Sequence, residues 1–133
     1  MRYLLDTNII IYFVKGNFPR VVSRIARTHR FSMAIPSPVH GELEYGARKS
    51  GAYQKRMEVY GEFCRKFKTF SFDRKAAVLY GAIRNDLERK GQLIGEIDMM
   101  IAAIALANRC VLVTHNMREF SRVKGLQIQD WTL

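Results

Sequence analysis

The chain has 133 residues, 48% of them hydrophobic, with 22 Lys and Arg against 12 Asp and Glu for a net charge of +10. That length and apolar content exclude a disordered chain and leave no room for two ordinary domains. No apolar run approaches the roughly 18–20 residues of a membrane span, and the basic excess favours a polyanionic partner, nucleic acid or an acidic protein.

Arg2–Leu5 reads as a first strand, and Asn8–Val14 as a short helix ended by the Lys15-Gly16-Asn17 turn. Arg20–Arg30 places Val21, Val22 and Ile25 on one face of a second helix, and Ser32–Ile35 is a second strand. Ser37-Pro38 has the pattern of an N-cap followed by proline at the first helical position, opening a helix to about Lys49. Gly51–Phe67 sets Met57, Tyr60, Cys64 and Phe67 at helical spacing. Thr69–Phe72 is a strand, and Asp73 caps a helix that runs to Lys90 with Ala76, Tyr80, Ile83 and Leu87 inward, stopped by Gly91. Asp98–Asn108 is apolar nearly all round, which predicts a helix inside the protein. Cys110–Thr114 is a buried strand, and Gln127–Ile128 a last short one. Strands alternating with helices predict βαβ units and a mainly parallel sheet, whose carboxyl ends are where such folds bind ligands.

The N-terminus lacks the basic, apolar, small-residue order of a signal peptide, so a cytoplasmic protein is expected. Cys64 and Cys110 lie far apart, form no CxxC pair, and are expected as reduced thiols.

Three acids break the charge pattern. Asp6 stands in the apolar run LLDTNIIIYF. Glu42 lies in PSPVHGELEYGA, with no Lys or Arg between Arg30 and Arg48, and Asp98 lies in QLIGEIDMMIAAIALAN, with none between Lys90 and Arg109. A buried carboxylate is costly unless it is paired, hydrogen-bonded or bound to a metal. Hard divalent ions take oxygen ligands from a few carboxylates plus water and phosphate, which accounts for acids kept apart from cations. The structural alternative is that Asp6 and Asp98 are helix caps. Glu44, two residues from Glu42, is expected on another face of its helix. His29 and His115 are expected as surface residues, and His40, two before Glu42, on another face of the helix.

LLDTNIIIY, PSPVHGELEYGARKS, IGEIDMMIAAIALA and LVTHNMREF, in that order, resemble the PIN-domain ribonucleases, and within them the VapC-type toxins of bacterial toxin–antitoxin pairs. The resemblance covers essentially the whole chain. It implies a single three-layer α/β/α PIN-like domain over residues 1–133, and a Mg²⁺- or Mn²⁺-dependent endoribonuclease hydrolysing RNA phosphodiesters, with transfer RNA among the expected substrates. It also implies a homodimer and a cognate antitoxin that blocks the RNA groove.

Carried over by position, Asp6, Glu42 and Asp98 match the family's metal-binding and catalytic acids. Where many relatives carry a fourth acid this chain has Asn116, and Glu119, three residues on, is the alternative source of a carboxylate. Thr7 and Thr114 are expected to orient the acids, and Lys15, Arg84, Arg118 and Arg122 to hold the RNA backbone. Two other readings stay open: an RNA-binding module without catalysis, and a PIN-like nuclease acting on another nucleic acid.

Overall fold

Five short strands form one sheet in the computed structural model, which describes residues 1–133: Tyr3–Leu5 (β1), Met33–Pro36 (β2), Lys68–Phe70 (β3), Val111–Val113 (β4) and Ile128–Gln129 (β5). Their spatial order is β3-β2-β1-β4-β5, and every pairing is parallel. The expected mainly parallel sheet is therefore wholly parallel. The central strands need apolar residues on both faces, and Leu4, Leu5, Ile35, Leu112 and Val113 are all fully buried.

Seven helices connect and cover the strands: Thr7–Lys15 (α1), Pro19–Arg27 (α2), Ser37–Lys49 (α3), Tyr53–Cys64 (α4), Arg74–Arg89 (α5), Glu96–Ala107 (α6) and Met117–Phe120 (α7). From β1 the chain steps to β2 and β3 in one direction, then returns past β1 to β4 and β5. Right-handed crossovers put α1 to α4 on one face and α5 to α7 on the other, which gives three layers. Helix α6 buries Met99, Ile101, Ala102, Ala103, Ile104, Ala105 and Ala107, as its lack of a polar face predicts. No helix is long and apolar enough to cross a membrane.

Local chemistry sets most boundaries where the sequence places them. Gly16 ends α1 in the left-handed region at φ 70°, with its N–H on Tyr12 and Phe13 carbonyls. Asp73 caps α5 by accepting the Ala76 N–H at 2.9 Å. Cys64 and Cys110 are free thiols.

Ser37 is a correction. It is the first residue of α3 rather than its cap, and its hydroxyl instead accepts the Phe72 N–H at 3.0 Å, tying α3 to the segment after β3. The Ser-Pro pattern cannot distinguish the two, because proline fits either of the first helical positions. The four-residue helix α7 is an element that the sequence reading lacks. It is too short to show a 3.6-residue period.

Candidate functional site

Strands β1 and β4 are neighbours in the sheet but far apart in sequence, and the chain reverses its direction of travel between them. In open α/β folds this switch point opens a crevice at the carboxyl ends of the strands. Asp6 is the residue immediately after β1, and Thr114 the one immediately after β4.

Asp6 is 6% exposed, and its two carboxylate oxygens have separate donors. Oδ1 accepts the Thr7 N–H at 2.8 Å, which makes Asp6 the N-cap of α1. Oδ2 accepts the Thr114 hydroxyl at 2.8 Å, across the switch point. Thr114 is itself fully buried, and its oxygen in turn accepts the Asn116 N–H at 3.0 Å. Burial pushes the Asp6 carboxyl above its ordinary pKa, the hydrogen bonds from Thr114 and Thr7 pull it back, and the Glu42 charge adds to the rise. The cap reading and the site reading of Asp6 thus coexist, because one oxygen caps while the other reaches β4.

Thr7 also reaches Glu42. Its hydroxyl donates to Glu42 Oε1 at 2.6 Å, so one residue fixes two acids that lie 35 positions apart in sequence. Glu44 points elsewhere, as helix geometry requires, and takes the Tyr53 hydroxyl at 2.8 Å and Arg48 at 3.7 Å.

Asp98 sits in the first turn of α6 but does not cap it. The cap residue is Gly95, with no side-chain capping bond. Asp98 has no hydrogen-bond donor holding its charge down, and its carboxyl is pushed up to about 6. Desolvation is the main cause, followed by the charges of Asp6, Glu42 and Glu119. Four carboxylates from α1's cap, α3, α6 and α7 therefore share one electrostatic neighbourhood. Of the two candidates for the fourth position, Glu119 brings a carboxylate to Asp98, whereas Asn116 caps α7 and its side chain makes no capping bond.

The donor set suits a hard divalent cation. The ion pairs of the molecule are Arg48–Glu44, Arg84–Glu96 and Lys90–Asp86, and His115 contacts Asp130, so no cationic side chain pairs with Asp6, Glu42, Asp98 or Glu119. In a chain of net charge +10, four neighbouring acids without a cation call for a positive partner from outside. No three His, Cys, Asp or Glu side chains close into a ready-made cage. Mg²⁺ keeps much of its water and takes only one or two carboxylates directly.

The basic residues expected at the site are scattered. Lys15 lies at the opposite end of α1 from Asp6, about 13 Å along the axis at 1.5 Å per residue. Arg84 is engaged by Glu96 at 3.2 Å and by the Tyr80 hydroxyl at 2.9 Å. Arg122 donates to the Gln92 and Leu93 carbonyls at 3.4 and 3.3 Å. Arg118 is exposed on α7, next to Glu119 in sequence. Glu96 is outside the acidic group, and its cation comes from α5, a pairing that its own apolar stretch does not reveal.

All three histidines have other partners. His29 caps a turn through the Phe31 N–H, His40 meets the Thr69 hydroxyl at 2.9 Å, and His115 meets Asp130 at 3.0 Å. A groove of about 520 Å³ beside Glu42 is lined by Pro38, Tyr45, Phe72, Ile97 and Met100. It escaped sequence reading because its walls come from three separate segments whose residues look like ordinary helix and loop positions.

Residues 3–126 match the PIN domain family. The chain is 37% identical to a tRNA(fMet)-specific endonuclease VapC of Salmonella typhimurium, over 98% of both chains. It is 36% identical to ribonuclease VapC2 of Haemophilus influenzae, again over 98% of both. Among solved structures it resembles the DNA-bound VapBC of Salmonella typhimurium, with a TM-score of 0.91, 37% identity and 98% of each chain covered. It also resembles VapBC2 of Rickettsia felis bound to a promoter DNA fragment, with a TM-score of 0.89, 33% identity and 98% and 99% of the chains covered.

Proposed function

The chain belongs to the PIN-domain family and, within it, to the VapC ribonuclease toxins, and from that premise we propose that Asp6, Glu42 and Asp98 form its metal-binding and catalytic centre. The observation that carries the assignment is Asp6: a carboxylate 6% exposed, held by Thr7 and Thr114, with no cation beside it and with Asp98 close enough to feel its charge.

Asp6 and Asp98 would hold Mg²⁺ or Mn²⁺ directly, with Glu42 acting through water or positioning the nucleophile. Such an ion supplies Lewis-acid polarisation of a phosphate and lowers the pKa of water. The protein's own contribution is orientation. Thr114 fixes Asp6 Oδ2 and Thr7 fixes Glu42 Oε1, so neither acid has to be ordered when RNA arrives. Asp98, pushed up to about 6 in the metal-free protein, is the acid best placed to exchange a proton near neutral pH when metal binds or leaves. Glu119 is the better candidate than Asn116 for the fourth position, since its charge already reaches Asp98.

The substrate is RNA, with transfer RNA as the first class to test, since one relative at 37% identity is named for cleaving tRNA(fMet). A cognate antitoxin completes the proposed assembly, supported by the VapBC complexes that this fold matches, and a homodimer is proposed with it on the family resemblance alone. The decisive experiment compares wild type and Asp6→Asn on total transfer RNA with Mn²⁺. The amide keeps the shape of the side chain and can still accept one hydrogen bond, but it is a poor hard-metal ligand. Cleavage is expected to fall by about 10²-fold or more, the scale of losing a principal catalytic group. Full activity in the variant would sink the assignment.

A further inference from the structure

Helix α2 carries Arg20, Arg24 and Arg27 at positions i, i+4 and i+7, one face of the helix. Together with Ser23 and Trp131 these arginines line a groove of about 370 Å³ that contains no acidic side chain. None of the three takes part in an ion pair.

Arg24 is held by neutral groups instead. Its guanidinium lies 4.7 Å from the centre of the Trp131 ring, and it reaches Gln129 Oε1 at 3.5 Å. The same oxygen accepts the Trp131 Nε1–H at 2.9 Å. A guanidinium stacked on a buried indole is oriented without being neutralised, so its full charge remains for an anion.

The groove also has a direction. The Phe18 ring, just ahead of α2, lies 6.3 Å from that of His115, which follows β4 at the acidic end of the sheet. The other end of α2 leads through Arg30–Ser32 to the start of β2. Arg20, Arg24 and Arg27 therefore descend the flank of the domain, about 6 and 4.5 Å apart along the helix axis at 1.5 Å per residue.

We propose that this arginine groove is a remote grip for the sugar–phosphate backbone of the RNA substrate, holding the strand beyond the nucleotides at the acidic site. The proposal rests on the ribonuclease reading above. A phosphate backbone fits better than a protein partner for two reasons. Guanidinium forks pair with phosphate oxygens in two parallel hydrogen bonds. A protein interface needs a large apolar anchor at its centre, whereas the hydrophobic lining here is Trp131, only 3% exposed, and a single exposed leucine, Leu133, beside three arginines.

The test uses Arg20→Gln/Arg27→Gln, which leaves the Arg24–Trp131 stack intact and changes two exposed side chains. Binding of fluorescently labelled transfer RNA and of a six-nucleotide RNA is measured across a salt series in Ca²⁺, and cleavage of both in Mn²⁺. Affinity for transfer RNA is expected to fall about tenfold at moderate salt. Its salt slope should shrink by about 1.4, the value for two phosphate contacts on a single strand. In cleavage, KM for transfer RNA should rise with kcat unchanged, and the six-nucleotide RNA should be bound and cut as by wild type.

Equal losses on both RNAs, or none on transfer RNA, would overturn the proposal. So would an unchanged RNA affinity combined with weakened binding of the co-purified antitoxin, which would assign the groove to protein. The binding arm needs no cleavage, so a wild type that cuts nothing would count against the ribonuclease centre and leave the groove to be judged by affinity alone.

Discussion

The two concentrations of like charge in this molecule are built in opposite ways. At the carboxyl ends of β1 and β4, four acids from four elements face one space, one of them almost fully buried, so their charges act on each other. Along α2, three arginines are spread by helix geometry over a solvated flank, and only Arg24 is fixed, by an aromatic ring. Solvated cations at helical spacing need no compensation within the fold, because water screens them. The acids are different: burial and mutual repulsion keep two of their carboxyls above the ordinary range, a cost that makes sense where a divalent ion is bound. One region is thus strained towards a specific ligand, and the other is open to any polyanion backbone.

The sharpest way to break that contrast, after Asp6 itself, is to remove the support of the buried acid. Thr114→Val keeps the side-chain volume but takes the hydroxyl from Asp6 Oδ2 and the acceptor from the Asn116 N–H. The buried Asp6 oxygen then loses a partner at a cost on the order of 1–3 kcal/mol, and the half-buried Asn116 N–H loses one at a smaller cost. Metal affinity or activity should drop about 10- to 100-fold, as when a ligand-orienting partner is lost. Rates measured over a Mn²⁺ titration, together with a denaturant melt, would check both. A variant as stable and active as wild type would mean that Asp6 is oriented by Thr7 alone.

A smaller effect separates Glu119 from Asn116. With its charge bearing on Asp98, Glu119→Gln should raise the Mn²⁺ concentration needed for half-maximal rate several-fold. Asn116→Ala should leave the metal titration in place and act mainly on RNA affinity. Superimposable titrations for wild type and Glu119→Gln would move Glu119 out of the site.

How much of this the sequence disclosed depends on whether the cause is local. Asp6, Glu42 and Asp98 stood out because each lies in a stretch without cations, and a missing neighbour is visible in one dimension. Glu96 shares the same cation-free stretch as Asp98, yet in space Arg84 neutralises it from α5. The Thr7–Glu42 and Thr114–Asp6 bonds join residues 35 and 108 positions apart, so the residue types suggested them but no spacing rule could place them. The alternation of strands with helices, the parallel sheet and the inward helix α6 follow from periodicity and composition, whereas the strand order is visible only in the fold. The first turn of α3 and the brief α7 do not follow from them either, since the patterns there are too short to decide. Lys15 has the charge for an RNA contact, but the length of α1 carries it away from the acids.

The smallest expected effect concerns stability and tests whether the acidic cluster is strained. In the metal-free protein the Asp98 carboxyl stands at about 6, against about 3.9 for an unperturbed Asp. Between those values the folded state binds more protons than the unfolded one, so stability falls as pH rises. The contribution is fully present below about pH 4, is lost as pH climbs through 6, and leaves the fold penalised at pH 7. Asp98 is only half-buried, so solvent reduces that penalty to on the order of 1 kcal/mol. Asp98→Asn removes the titrating group and caps nothing, because the cap of α6 is Gly95. In EDTA at pH 7.5 the variant should therefore melt a few degrees higher than wild type, about what 1 kcal/mol is worth in a domain of this size. At pH 4 the difference should close, since wild-type Asp98 is then protonated. Millimolar Mn²⁺ should raise the wild-type melting temperature, because an ion that binds only the folded state stabilises it, and should raise that of the variant less. If Asp98→Asn melts below wild type at pH 7.5, or Mn²⁺ moves neither protein, the acids are not strained against one another and the contrast between the two charged regions fails.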